Sequence, residues 1–281
     1  MNIETKYIRR ELSAVIEEAY RYFSVITITG PRQSGKTTLI RNLFPHLPYY
    51  SLENLDVRSF AENDPIAFLN QHVKGMILDE VHNAPNLLSY IQGMVDEDAD
   101  RRFILSGSSQ FAMLKKVSQS LAGRTAVFEL LPLSYSEVRE TVTDTPLDHL
   151  LFNGFYPAIY SGRNVPKFLY PAYMKTYLDK DVRDLLQIKD MMQFHMFIRL
   201  CAGRVGSLFK ASELANEIGI SSHTVTAWLS VLQASYIVTL LPPYFEFRGA
   251  VYGECHLFDH LLGEVHHPEV ILVGDVYLHH R

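Results

Sequence analysis

The stretch 29-TGPRQSGKTTLI-40 constrains this chain more than any other. It follows 24-SVITI-28, a β-favouring run, and leads into an apolar helical pattern. Gly30, Pro31, Arg32, Gln33, Ser34, Gly35, Lys36 and Thr37 fit G-x-x-x-x-G-K-[ST] at every position. The spacing has a physical reason. Gly30 and Gly35 let backbone N–H groups turn inward around an anion, and the helix N-terminus faces it. Lys36 brings a positive charge to the outer phosphates, and the Thr37 hydroxyl reaches a divalent cation. A strand before and a helix after are what separate a working phosphate loop from a glycine-rich turn.

The partner of such a loop is a carboxylate at the end of a buried strand. The run 75-GMILDE-80 supplies it. Asp79 is expected to hold Mg²⁺ through water, and Glu80 to act as general base on an attacking water. Two adjacent acids favour hydrolysis of ATP over small-molecule phosphorylation, for which no acceptor site is visible. No N-K-x-D string occurs, which argues against guanine. A third strand, 102-RFILSGS-108, ends in Ser106 and Ser108. Either is a candidate polar sensor between Glu80 and the γ-phosphate, against the plainer reading of a Ser-Gly turn. Arg124, in 120-SLAGRTAVF-128, is a candidate γ-phosphate sensor in its own subunit or a neighbour's, against an ordinary surface arginine.

The rest of the chain gives the setting. Residues 7–22 read as an amphipathic helix with Ile8, Leu12, Val15, Ile16 and Ala19 on one face. Residues 48–52 read as a short strand. In ENDPIAFLNQH a helix starts at Pro65, capped by Asn63 or Asp64. A helix over 85–96 and a strand over 125–130 complete an alternation that predicts an α/β parallel sheet covered on both faces. From Ser134 to about Cys201 the pattern is helical. Residues 206–245 read as helix, turn, helix and strand, a winged helix-turn-helix order. The division expected is 1–140 for the nucleotide core, 141–205 for a helical segment, 206–247 for the winged unit and 248–281 for an atypical tail.

Bulk properties exclude other classes. Of 281 residues, 47% are hydrophobic and 20% charged, enough apolar surface for a core, with net charge −5 and no general bias toward nucleic acid. Two cysteines cannot build a disulfide framework and fit a reducing, cytoplasmic setting. No window reaches 18 apolar residues, so no membrane span is expected.

Taken in order, GPRQSGKTTL, SLEN, ENDP, ILDEVHNAPNLLSYIQGMVD, FILSGSSQF, SLAGRTAVFELLPLSYSE, NGFYPAIY, YLDKDVRDL and SYIVTLLPPY closely resemble one family over residues 1–245. It is the prokaryotic AAA-type ATP-binding proteins with a C-terminal domain of unknown function. The resemblance implies a P-loop NTPase core, ATP and Mg²⁺ as ligands, and a site of Gly30 to Thr38 (Thr38 included), Asp79, Glu80, the serines after strand 102–106, and Arg124. It leaves the cellular task undefined. After about Phe247 the chain departs from the family's usual Lys-Leu-Tyr-Phe strand and nuclease-like domain. Six of the 12 histidines fall there: His256, His260, His266, His267, His279 and His280. Cys255, His256, His260 and the pair His266 and His267 offer a weak metal pattern, against the plainer reading of a poorly structured tail. The favoured expectation is a frame change or truncation that replaced the usual domain.

DNA binding through the second helix of the winged unit is not favoured. Residues 206–245 carry one base, Lys210, against Glu213 and Glu217, and HTVTAWLSVLQ has neither Lys nor Arg. Trp228, Leu229, Val231 and Leu232 read as core, whereas His223, Thr224 and Thr226 remain available to touch bases. The expected function is an ATP-hydrolysing switch that acts on a protein partner or by self-association. The alternative is a nucleotide-gated DNA-binding regulator.

Overall fold

The structure is a computed structural model that describes residues 7–107, 117, 120–176, 190–241 and 269–273. The chain separates into two compact units, residues 1–169 and 170–281.

In the first unit five strands form a parallel sheet: β1 (Val25–Thr29), β2 (Tyr49–Ser51), β3 (Gly75–Asp79), β4 (Arg102–Ser106) and β5 (Thr125–Glu129), in the order β2-β3-β4-β1-β5. The inner strands β1 and β3 are buried at every residue, which is why they read as unbroken apolar runs rather than alternating ones. Alternate side chains nonetheless go to opposite faces. Ile26, Ile28, Ile77 and Ile104 pack with Ile16 of α1 (Leu12–Ala19) and with Leu39, Ile40 and Phe44 of and just after α2 (Lys36–Leu43). Val25, Met76, Leu78, Phe103 and Leu105 pack on the other face. There they meet Ala61 of α3 (Leu55–Asn63), Phe68 and Leu69 of α4 (Pro65–Asn70), and Leu88 and Ile91 of α5 (Leu87–Glu97). Each of the larger of these side chains contributes roughly 1.5–3 kcal/mol of burial.

Several elements follow their local signals. Asp64 accepts from the Ala67 N–H and caps α4, with Pro65 at its first position. The first helix is shorter than 7–22: residues 7–10 precede it, with Ile8 packed against Leu133 and Val138 and the Arg10 side chain taken up by long-range bonds. Helix α3 was not expected. Asn54 caps it through the Asp56 and Val57 N–H groups, and Ala61 is its one fully buried residue, with Val57 half-buried against the same core.

After β5 come α6 (Tyr135–Val138), α7 (Leu147–Asn153), α8 (Pro157–Tyr160) and α9 (Pro166–Tyr173). Ser134 and Glu137 close a reciprocal capping box on α6.

The second unit holds α10 (Met191–Ala202), β6 (Leu208–Phe209), α11 (Ala211–Ile218), α12 (Ser222–Ala234), β7 (Val238–Leu241) and β8 (Glu269–Val273). Gly219 ends α11 at φ 78°, and the Ser221 hydroxyl caps α12. Trp228 stands edge-on to Phe194 of α10, ring centroids 5.2 Å apart, and Leu229, Val231 and Leu232 are buried with it. These four residues are core, as expected. The three strands pair antiparallel in the order β6-β8-β7.

No helix among the described residues is long and apolar enough to cross a membrane. The tail residues expected to depart from the family, with their histidines and Cys255, lie outside the described residues apart from strand β8.

Candidate functional site

The carboxyl ends of β1, β3 and β4 bring the sequence-predicted residues together. Thr29 closes β1 and the chain turns at Gly30, whose φ is 139°. A Cβ there would stand 2.2 Å from the Leu130 carbonyl oxygen, so the position accepts only glycine. Pro31, Arg32, Gln33 and Ser34 follow, with Gln33 at φ 63° and Gly35 at 95°. The loop ends on the first turn of α2, where N–H groups lack intrahelical partners.

Lys36 is 6% exposed, and its ammonium donates to the Gly30 and Pro31 carbonyls at 2.9 and 2.7 Å. Burial pushes this lysine down to about 8, partly opposed by the nearby Glu80 and Asp79 carboxylates. Asp79 is 5% exposed and surrounded by donors. Its Oδ2 accepts from Thr37 Oγ1 and from the Tyr49 hydroxyl, both at 2.7 Å. Its Oδ1 accepts from Ser106 Oγ and the Glu80 N–H. The strand register explains Ser106: Leu78 pairs with Leu105, so the next residues meet at the end of the sheet. Glu80 sits at φ 54°, ψ 47°, a left-handed backbone uncommon for glutamate, and its carboxylate lies 3.1 Å from His82 Nδ1. Thr38 is exposed on the outer side of α2, where its carbonyl accepts from Asn42. Ser108 lies outside the described residues.

Arg124 is not brought to this site. It precedes β5, and its carbonyl accepts from the Val25 N–H at the amino end of β1, the opposite end of the sheet. Its guanidinium pairs with Asp96 at 2.6 and 2.7 Å. The reading of Arg124 as a sensor within its own subunit is therefore corrected: a five-residue strand, roughly 16 Å long, separates it from the loop.

Three residues were not foreseen. Tyr49 reaches Asp79 from the neighbouring strand β2, and nothing in PYYSL marks it beyond a tyrosine on a strand. His82 pairs with Glu80. Arg10 donates to the Ser34 carbonyl of the loop at 2.8 Å. Among the described residues no group of three or more His, Cys, Asp or Glu is placed to hold a metal. The side chains gathered at Asp79 present only oxygen atoms, which suits a hard, largely hydrated cation.

The fold and this loop define an α/β protein of the P-loop NTPase class. Residues 22–139 match the family model described as AAA domain, and residues 144–251 match the domain of unknown function DUF8612. The chain thus carries an AAA domain followed by that second domain, as the ordered motifs implied. An uncharacterized protein of Mycobacterium tuberculosis is 29% identical over 244 residues, 84% of this chain and 54% of its own length. One of Methanocaldococcus jannaschii is 21% identical over 266 residues, 83% of this chain and 60% of its own. The chain thus spans little more than half the length of these relatives. Among solved structures, the Walker-type ATPase PabY2304 of Pyrococcus abyssi shares the fold, with a TM-score of 0.58 at 14% identity, over 83% of this chain and 91% of that one.

Proposed function

We propose that this chain binds ATP with Mg²⁺ on the loop Gly30 to Thr38 and hydrolyses it as a nucleotide-driven switch. The observation that carries this reading is the 2.7 Å bond from Thr37 to Asp79, which joins the end of the loop to the end of β3. Thr37 and Asp79 would hold the cation, the aspartate through water, and the cation would offset charge on the β- and γ-phosphates. The backbone of residues 31–35 and the N-terminus of α2 cradle the phosphates. Lys36 exchanges its two loop carbonyls for phosphate oxygens. Glu80 acts as general base on the attacking water, steadied by His82, and Ser106 keeps Asp79 oriented. Arg124 serves only in trans, reaching the nucleotide of a neighbouring subunit.

The test is steady-state ATP hydrolysis with Mg²⁺ beside nucleotide binding. Glu80→Gln binds ATP but turns over at least a hundredfold more slowly. A Glu80→Gln variant as fast as the unaltered chain overturns the assignment of the base. The trans role of Arg124 requires an ATP-dependent oligomer, read by light scattering with and without ATP and Mg²⁺.

The second reading is a nucleotide-gated DNA-binding regulator. The order β6-α11-α12-β7 over residues 208–241, with β8 at 269–273 completing the antiparallel sheet, supports a winged helix-turn-helix. Charge opposes it: Lys210 is occupied with Glu213, and Thr226 bonds back to the Ser222 carbonyl. A duplex-DNA shift that weakens with salt and is lost in Thr224→Ala/Thr226→Ala favours this reading over the first.

A further inference from the structure

We propose that Arg10, clamped by Glu137, is a positioning residue that sets the geometry of the phosphate loop. This rests on the reading of that loop as an ATP site. Arg10 is 6% exposed and lies in the segment before α1. Its Nε donates to both carboxylate oxygens of Glu137 at 3.0 Å. Its Nη2 donates to the Leu131 and Pro132 carbonyls at 2.6 and 3.0 Å. Its Nη1 donates to the Ser34 carbonyl at 2.8 Å. Glu137 is held in turn by the Glu11 and Ser134 N–H groups at 2.7 and 2.9 Å.

The bond to Ser34 has a particular consequence. Ser34 lies between two left-handed residues, Gln33 and Gly35, so its peptide unit governs how the loop curls. In a trans peptide the C=O and the following N–H point in opposite directions. Fixing the Ser34 carbonyl on Arg10 therefore fixes the Gly35 N–H to face away from Arg10. That N–H is one of the donors a phosphate loop presents. The same guanidinium holds the chain leaving β5, whose Leu130 packs against Gly30. Arg10 thus ties both ends of the loop to one plane. A lysine cannot copy this, because a single ammonium cannot span five acceptor oxygens in a planar fork. The Arg10 charge is neutralised by Glu137, so it acts through the loop and not on phosphate.

A brace of the fold and a positioning residue are separated by affinity in variants that still fold. The full chain is titrated with the fluorescent N-methylanthraniloyl derivatives of ADP and ATP, beside urea unfolding. Arg10→Lys, Glu137→Gln and the apolar pair Arg10→Met/Glu137→Met are compared. The last removes a buried ion pair as a unit, a change that buried pairs often tolerate. The expected result is a cooperative urea transition with at least tenfold weaker binding. The factor is the same for ADP and ATP, because both carry the β-phosphate. Any variant that folds and binds like the unaltered chain overturns the proposal, as does failure of all three to fold, which makes Arg10 a brace. If the unaltered chain binds neither nucleotide, the ATP reading falls with it.

Discussion

At the carboxyl ends of β1, β3 and β4, hydroxyls from three elements converge on one buried carboxylate, Asp79, beside a buried lysine. At the amino ends of β4 and β5 the cations are dispersed. Arg101 donates to Asn70 and the Leu69 carbonyl, Arg102 to the Ala99 carbonyl, and Arg124 to Asp96 at the surface. The sheet is one body, yet its two ends do different work. Parallel strands put all their carboxyl ends on one side, where a loop-to-helix connection can present N–H groups to an anion. The arginines at the other end are satisfied locally. Position along the strand direction, more than charge, decides which residues can serve the site.

The largest effect that would break this contrast is at Lys36. Lys36→Ala is expected to abolish ATP binding in an equilibrium titration, whereas Arg124→Ala leaves the affinity of the monomer unchanged. Loss of binding in Arg124→Ala at concentrations where the chain is monomeric would return that residue to the cis site. Next comes stability against pH, read in chelator without nucleotide. A lysine at about 8 in the folded chain and near 10.5 when unfolded costs about 3 kcal/mol at pH 7. The unfolded chain binds the extra proton between those values, so stability rises with pH across that window. The gain should be seen in urea midpoints of the unaltered chain from pH 8 to 10 and be missing in Lys36→Met. The smallest effect sharpens the picture at Asp79. Tyr49→Phe removes one of its donors and should cost about 1 kcal/mol of stability. It also leaves Oδ2 with one donor fewer, so half-saturation by Mg²⁺ in nucleotide binding should shift to lower concentration. An unmoved Mg²⁺ midpoint would separate Tyr49 from the cation site.

The sequence disclosed the parts of this site that are written locally. Lys36 and Thr37 follow Gly35 directly, and Asp79 ends an apolar run, so spacing alone identified them. Tyr49 and Arg10 stayed hidden because their contacts are made by topology, across 30 and 24 residues of chain. Helix α3 was missed because it is only nine residues long and its apolar stripe is no more than Val57, Phe60 and Ala61. The same-subunit reading of Arg124 failed for a reason that strand direction could have supplied. A residue just before a parallel strand lies at the end opposite the loop that follows a neighbouring strand.

The clamp between Arg10 and Glu137 joins residues 127 positions apart. During synthesis the loop emerges early, but its clamp cannot close until Glu137 has left the ribosome. At roughly 5–20 residues per second that is a delay of about ten seconds. Strands β4 and β5, which flank β1, arrive in the same interval. A nascent chain therefore carries an apolar strand without its neighbours, and a loop without its Arg10–Glu137 clamp, until about half of its length has been made.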